Sequence, residues 1–182
     1  MLKESKPLRV VFSEPAAQGT HPEVGVSFEP PRDGLLKVRF EVRGALPRVN
    51  AALRTDKSQW GLWDWDVVEL FVSANDSAIY YEFQLSPLDQ FFELEIFEPR
   101  VRINKEFVSN FVHAVEQVAA DAWKAVFKIP LAPLGWDGKM DSLRGNAFAI
   151  LGPPGARSYL SLNLPKQAKP DFHLPQYFKK IF

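Results

Sequence analysis

Leu36-Lys37-Val38-Arg39-Phe40-Glu41-Val42-Arg43 places apolar side chains at every second position and charged ones between them. That period of two buries one face of a β-strand and wets the other. Just before it, residues 25–29 are followed by Pro30-Pro31-Arg32-Asp33-Gly34, which reads as a partner strand feeding a hairpin loop. The same short runs rich in Val, Phe, Tyr and Ile recur at residues 8–13, 65–73, 78–86, 91–97, 111–119, 123–129, 147–152 and 159–163. Fifteen prolines and ten glycines separate the runs, and no segment keeps a 3.6-residue period beyond two turns. The reading is all-β: a two-sheet antiparallel β-sandwich of jelly-roll type with very little helix. Its expected core includes Val38, Phe40, Val68, Leu70, Phe83, Leu94 and Phe127. A single helical turn is expected at residues 130–135, opened by proline and closed by glycine, and residues 164–175 are expected to form an extended strap.

The 182 residues fit one domain, 1–182, large enough to bury roughly 70% of the surface of the unfolded chain. Basic and acidic residues number 22 each, so there is no long-range field to gather nucleic acid or anionic lipid. Cysteine is absent, which excludes disulfides, thiolate zinc sites and cysteine nucleophiles. No run approaches 18 apolar residues, so a membrane partner is not expected. MLKESKPLRVVFSEP lacks a secretory apolar run, which favours the cytoplasm if Met1 is the natural start; the compartment is otherwise open, as is the oligomeric state.

Ten of the 24 aromatic residues fall between Trp60 and Phe97. In 65–73, Val68, Leu70 and Val72 form one face, and Trp65, Val67, Glu69 and Phe71 another that is apolar except for Glu69. A carboxylate in such a row needs a donor: an arginine, backbone N–H groups or ligand hydroxyls. The next two strands set Tyr80, Glu82, Gln84 and Ser86 against Tyr81, Phe83 and Leu85, and Glu93 and Glu95 against Phe92, Leu94 and Ile96. If the three are neighbours, their mixed faces would join Glu69, Glu82, Gln84, Glu93 and Glu95 with aromatic rings. Acceptors beside flat rings match the hydroxyls and C–H face of a sugar. A solvated face paired to Arg39, Arg43, Arg100 or Arg102 is the plainer alternative.

Trp63-Asp64-Trp65-Asp66-Val67-Val68-Glu69-Leu70-Phe71, then Tyr81-Glu82-Phe83-Gln84-Leu85-Ser86-Pro87, and Lys169-Pro170-Asp171-Phe172-His173-Leu174-Pro175 with Phe178, resemble the DOMON-like superfamily, in the branch similar to family 9 carbohydrate-binding modules. The resemblance runs roughly from Val24 to Phe182. It implies a jelly-roll sandwich that, in sugar-binding members, clamps a mono- or disaccharide between two aromatic rings. Trp63 matches the first ring, Phe172 the second, and Glu69 the hydrogen-bonding acid. Where such members carry arginine and asparagine on the following strand, this chain has Gln84 and Ser86; its second ring is Phe, and an apolar residue near Phe148 replaces a later glutamine. Stacking is kept and polar readout is reduced.

The ligand-binding candidates are therefore Trp63, Glu69, Gln84, Ser86, Phe172 and His173, with no catalytic or metal residue assigned. A binding module is expected in preference to an enzyme, since no nucleophile–base pair or metal set is evident. The alternatives are a glycoside hydrolase using two of the sheet-face glutamates and a protein-interaction module, because the same aromatic enrichment marks interfaces. No cofactor is expected. His21, His113 and His173 lack zinc spacing, Met140 in a polar loop is a poor haem ligand, and Asp64, Asp66 and Asp56 offer too few oxygens for calcium. The turn Gly152-Pro153-Pro154-Gly155 lacks the lysine of a phosphate loop.

Overall fold

The computed structural model describes residues 4–17 and 21–182 as two antiparallel sheets sharing an apolar core. The first sheet contains β1 (Lys6–Pro7), β3 (Glu23–Arg32), β4 (Leu35–Arg43), β9 (Val112–Ala119) and β10 (Ala122–Pro130), in the spatial order β1-β3-β4-β10-β9. The second contains β2 (Arg9–Ser13), β5 (Val67–Ser73), β6 (Tyr80–Leu85), β7 (Phe91–Glu98), β8 (Arg102–Asn104), β11 (Arg144–Leu151) and β12 (Ser158–Ser161). Their order is β2-β12-β11-β5-β6-β7-β8, and β13 (Lys179–Lys180) pairs with one end of β11.

The alternation read at Leu36–Arg43 does what it predicts: Leu36, Val38, Phe40 and Val42 are buried, while the charged residues between them lie outside. Phe127 and Ala125 of β10 stand opposite Val38 and Phe40, and the Phe40 and Phe127 rings lie 5.5 Å apart. Val68, Leu70, Phe83, Leu85 and Ala147 of the second sheet close the same core. Each large apolar side chain buried this way contributes about 1.5–3 kcal/mol. In the β3–β4 hairpin Asp33 and Gly34 take φ of 52° and 72°, the left-handed pair of a two-residue turn, and a bulge between Glu29 and Arg32 accommodates the prolines.

All ten expected strands are present, with ends displaced by at most three residues. β1, β8 and β13 are additional, each too short to show a period. The expected turn lies at Ala132–Leu134 and ends at Gly135 with φ 70°. Single 3₁₀ turns also occur at Leu62–Asp64, Met140–Ser142 and Pro175–Tyr177.

One expectation fails at β7. The β6–β7 register sets Glu82 opposite Leu94 and Gln84 opposite Phe92, so Phe92, Leu94 and Ile96 share the outer face of the second sheet with Glu82 and Gln84. Leu94 therefore belongs to a second apolar cluster on that outer face and is not part of the inter-sheet core. Glu93 and Glu95 point the other way and do not join the Glu69 surface. The alternation itself was correct. An apolar row need not face the partner sheet, because here the outer face is covered too.

The cover is the strap. Residues 164–175 contain no strand; the Gln167 N–H donates to the Val11 carbonyl, and Leu164 and Phe172 pack with Val11, Phe71 and Phe148. As a result all residues of β5 and β6 are buried, on both faces.

Candidate functional site

Between strap and sheet lies a cavity of about 330 Å³, at the small end of the range used by small-molecule sites. Its floor is Glu69 of β5 with Glu82 and Gln84 of β6, brought together because Glu69 stands opposite Gln84 and Glu82 opposite Phe71 across the strand pair. Glu69 is only 2% exposed, and among the described residues no donor is bonded to its carboxyl. The Gln84 amide donates to Glu82 Oε1 at 2.5 Å, which leaves Gln84 Oε1 buried with no partner. Glu82 Oε2 lies 3.9 Å from His173 Nε2, beyond hydrogen-bond reach.

Burial drives the electrostatics of this floor. It pushes the Glu69 carboxyl well above the ordinary carboxylate range, and the neighbouring Glu82 charge adds to the push. Burial likewise raises Glu82 to about 7, against the lowering effect of the Gln84 hydrogen bond. His173 goes the other way, down to about 4, through burial first and the Arg100 charge second, with Asp171 opposing. Its Nδ1 lies 2.8 Å from the Tyr80 hydroxyl, whose own pKa is raised by burial and by Glu82.

The walls are aromatic. Trp63 enters from the 44–66 connection, on the turn Leu62–Asp64, where Gly61 supplies the left-handed residue before it with φ 85° and Leu62 is buried as the anchor. Several tethers hold this loop. The Arg157 guanidinium donates to the carbonyl of Trp63 at 2.9 Å and also to that of Asp64, while Arg48 donates to the Asp64 carbonyl. The Asp66 carboxylate accepts the N–H groups of Arg48 and Gly152 at 2.9 and 2.8 Å. From the strap, Phe172 lines the cavity and stacks on Phe148 of β11 at 4.3 Å with 16° between planes. That ring is 7% exposed, so it fills core as well as facing the cavity.

Five of the six candidates thus line one cavity: Trp63, Glu69, Gln84, Phe172 and His173. Ser86 does not. It is fully buried in the β6–β7 hairpin, where its hydroxyl lies 2.9 Å from Gln90 Oε1, and Gln90 Nε2 donates to the carbonyls of Asn50 and Leu53. Ser86 lies one residue beyond β6, and the turn there needs its oxygen for the backbone N–H groups of Leu88 and Gln90. Its contribution is to the loop that carries Trp63, at one remove.

Sequence reasoning missed Trp60, and it named Arg100 only as a pairing partner for the sheet-face acids. Trp60, three residues before Trp63, meets it edge-on at 4.9 Å and stands half-exposed at the rim under the Lys105 ammonium. That spacing of three across a short helical turn was the signal available. Arg100 arrives from the β7–β8 hairpin and is ion-paired with Asp171 of the strap, a contact between distant segments that no local pattern announces. Of the weighed metal candidates, Asp56 is ion-paired with Arg54, Asp66 is engaged with backbone, and Met140 is half-exposed. Among the described residues no three His, Asp or Glu are gathered as a metal would require.

No family model matches the chain, and no curated protein matches it. Among solved structures it is similar to a protein of Bacteroides uniformis ATCC 8492 described as a "putative carbohydrate-binding protein". The two are 20% identical, with a TM-score of 0.74 over 96% of this chain and 84% of that one. The likeness is one of fold.

Proposed function

We propose that the protein is a non-catalytic module that binds a mono- or disaccharide in the cavity between strap and sheet. The observation that carries this reading is the floor itself: two glutamates and an amide oxygen, buried and short of donors, under walls of Trp63 and Phe172. Sugar hydroxyls supply donors and a sugar ring supplies an apolar face for the indole. The fold shared with the Bacteroides protein supports the reading, as does the resemblance of the motifs to the DOMON-like branch. Two ring contacts at about 0.5–1.5 kcal/mol each and one or two charge-assisted hydrogen bonds at about 1.5–3 kcal/mol each remain modest once ordering costs are met. Affinity is expected in the millimolar to micromolar range.

A glycoside hydrolase built on Glu69 and Glu82 is the competing reading, since both acids lie in the cavity. Acid and nucleophile roles need two carboxyls pushed apart in pKa. Here burial raises both, and the Glu82 charge pushes Glu69 further, so turnover decides between the two readings. Titration calorimetry with a panel of mono- and disaccharides tests the proposal, together with chromogenic glycosides. Binding should weaken about tenfold in Trp63→Ala, the worth of one ring contact. Saccharide binding unchanged by that substitution would remove the clamp, and glycoside turnover abolished by Glu69→Gln would replace it with the hydrolase.

A further inference from the structure

The floor of the cavity is rich in carboxyl and amide oxygens and poor in donors from the surrounding protein. Among the described residues no donor is bonded to the Glu69 carboxyl or to Gln84 Oε1, and the Gln84 amide is the one hydrogen-bond donor to Glu82. Among the described residues no lysine or arginine forms an ion pair with either glutamate. Arg100, the guanidinium that lines the cavity, is already paired with Asp171. Of the other titratable groups near the floor, His173 spends Nδ1 on the Tyr80 hydroxyl and holds Nε2 3.9 Å from Glu82 Oε2, outside hydrogen-bond reach, and Tyr159 packs edge-on against Phe172.

We propose that the cavity selects a sugar bearing a free amine, with its ammonium group seated among Glu69, Glu82 and Gln84 Oε1. This rests on the carbohydrate reading above and specifies one substituent of the ligand. An ammonium carries three donors and no lone pair, so each hydrogen meets an acceptor. A hydroxyl brings one hydrogen and two lone pairs, and the lone pairs would face carboxyl oxygens. The ammonium also supplies the counter-charge that lets two acids buried side by side give up the protons that burial holds on them.

The test is calorimetry on the full chain at pH 7.5, above the Glu82 value of about 7, and at low salt, comparing glucosamine, galactosamine and mannosamine with their neutral hydroxyl counterparts and their N-acetyl derivatives. At least one amino sugar should bind about tenfold more tightly than both of its neutral partners, the gap between a charge-assisted and a neutral hydrogen bond. That preference should collapse in Glu69→Gln, where the amino sugar loses about tenfold more affinity than its hydroxyl counterpart does; Glu82→Gln serves as the second, isosteric variant. Equal affinity for amino and neutral sugars would overturn amine selection and leave the carbohydrate reading standing. If no sugar binds but cyclohexylammonium raises the melting temperature in a Glu69-dependent way, the cation site stands and the carbohydrate reading falls. If neither binds, both fall.

Discussion

Glu69 and Glu93 are both buried glutamates of the second sheet, on strands separated only by β6, and they face opposite ways. Glu93 turns inward and is satisfied: Oε2 accepts the Ser109 N–H at 3.0 Å and the Ser109 hydroxyl at 2.6 Å. Its neighbour Glu95 accepts from Asn104 at 3.0 Å and from the Tyr81 hydroxyl at 3.3 Å. Glu69 turns outward under the strap and accepts nothing from the protein among the described residues. Burial raises the pKa of both, but for Glu93 the Ser109 hydrogen bonds and the His113 charge pull against it. Burial alone therefore does not mark a functional acid. The distinction lies in whether the fold supplies the donors, and at Glu69 it leaves them for something else to supply.

The largest test of that contrast is Glu93→Ala against Glu69→Gln. Stripping the acceptor from Ser109 leaves a buried N–H unmet, so Glu93→Ala should cost about 2–3 kcal/mol, read as a fall in melting temperature of roughly 4–12 °C. Glu69→Gln removes only an unpartnered acid and should be neutral or stabilising at pH 7–8. A comparable loss in both variants would erase the contrast.

The pH dependence of stability is the next largest effect. A carboxyl whose folded pKa is raised holds its proton when the unfolded chain has lost it, so its contribution is full below about pH 4.5 and fades as pH rises through the folded value, about 7 for Glu82 and higher than ordinary for Glu69. His173, depressed to about 4 from 6.5, acts in reverse: it penalises the fold as pH falls from 6.5 to about 4. The two oppose each other below pH 6.5, and above it only the acids act. Stability should therefore fall between pH 6.5 and 8 by on the order of 1–2 kcal/mol, and a Glu69→Gln, Glu82→Gln double variant should be flat there. A wild-type melting temperature that rises across that window would contradict a raised pair of acids.

The smallest effect belongs to Arg157, which touches the site only through the carbonyls of Trp63 and Asp64. Arg157→Met should cost about 1 kcal/mol or a little more and weaken saccharide binding severalfold by loosening the Trp63 loop, with a red-shifted tryptophan emission. Arg157→Lys should recover part of the binding, because one donor still reaches a carbonyl. Unchanged emission and unchanged binding would show that the loop is held well enough by Asp66.

Much of the fold was legible because its cause is local. Period-two alternation in Leu36–Arg43 and its repeats requires a sheet with one covered face, and the prolines and glycines between them require turns. The motif run from Trp63 to Glu69 and the strap at Phe172 could be picked out for the same reason, as sequence-adjacent patterns. Ser86 could not be judged locally, since the same oxygen serves a ligand or a hairpin depending on where the strand ends. Arg157 was silent, and the sequence did not show that Arg100 would meet Asp171, because their partners lie 94 and 71 residues away.

The sequence by itself determined that the chain makes short amphipathic strands, that Glu69 stands in an otherwise apolar row, and that aromatic residues gather around it. Tertiary structure decided which face of each strand looks inward. Alternation is symmetric: it says that two faces differ, and when a strap covers the outer face both can be apolar, as Leu94 and Phe83 are on opposite faces of neighbouring strands. The register of β5 against β6 brought Glu69, Glu82 and Gln84 together, and that of β6 against β7 sent Glu93 to Ser109, because a strand's hydrogen-bonding partner, and not its own sequence, sets which of its two rows shares a face with its neighbour's.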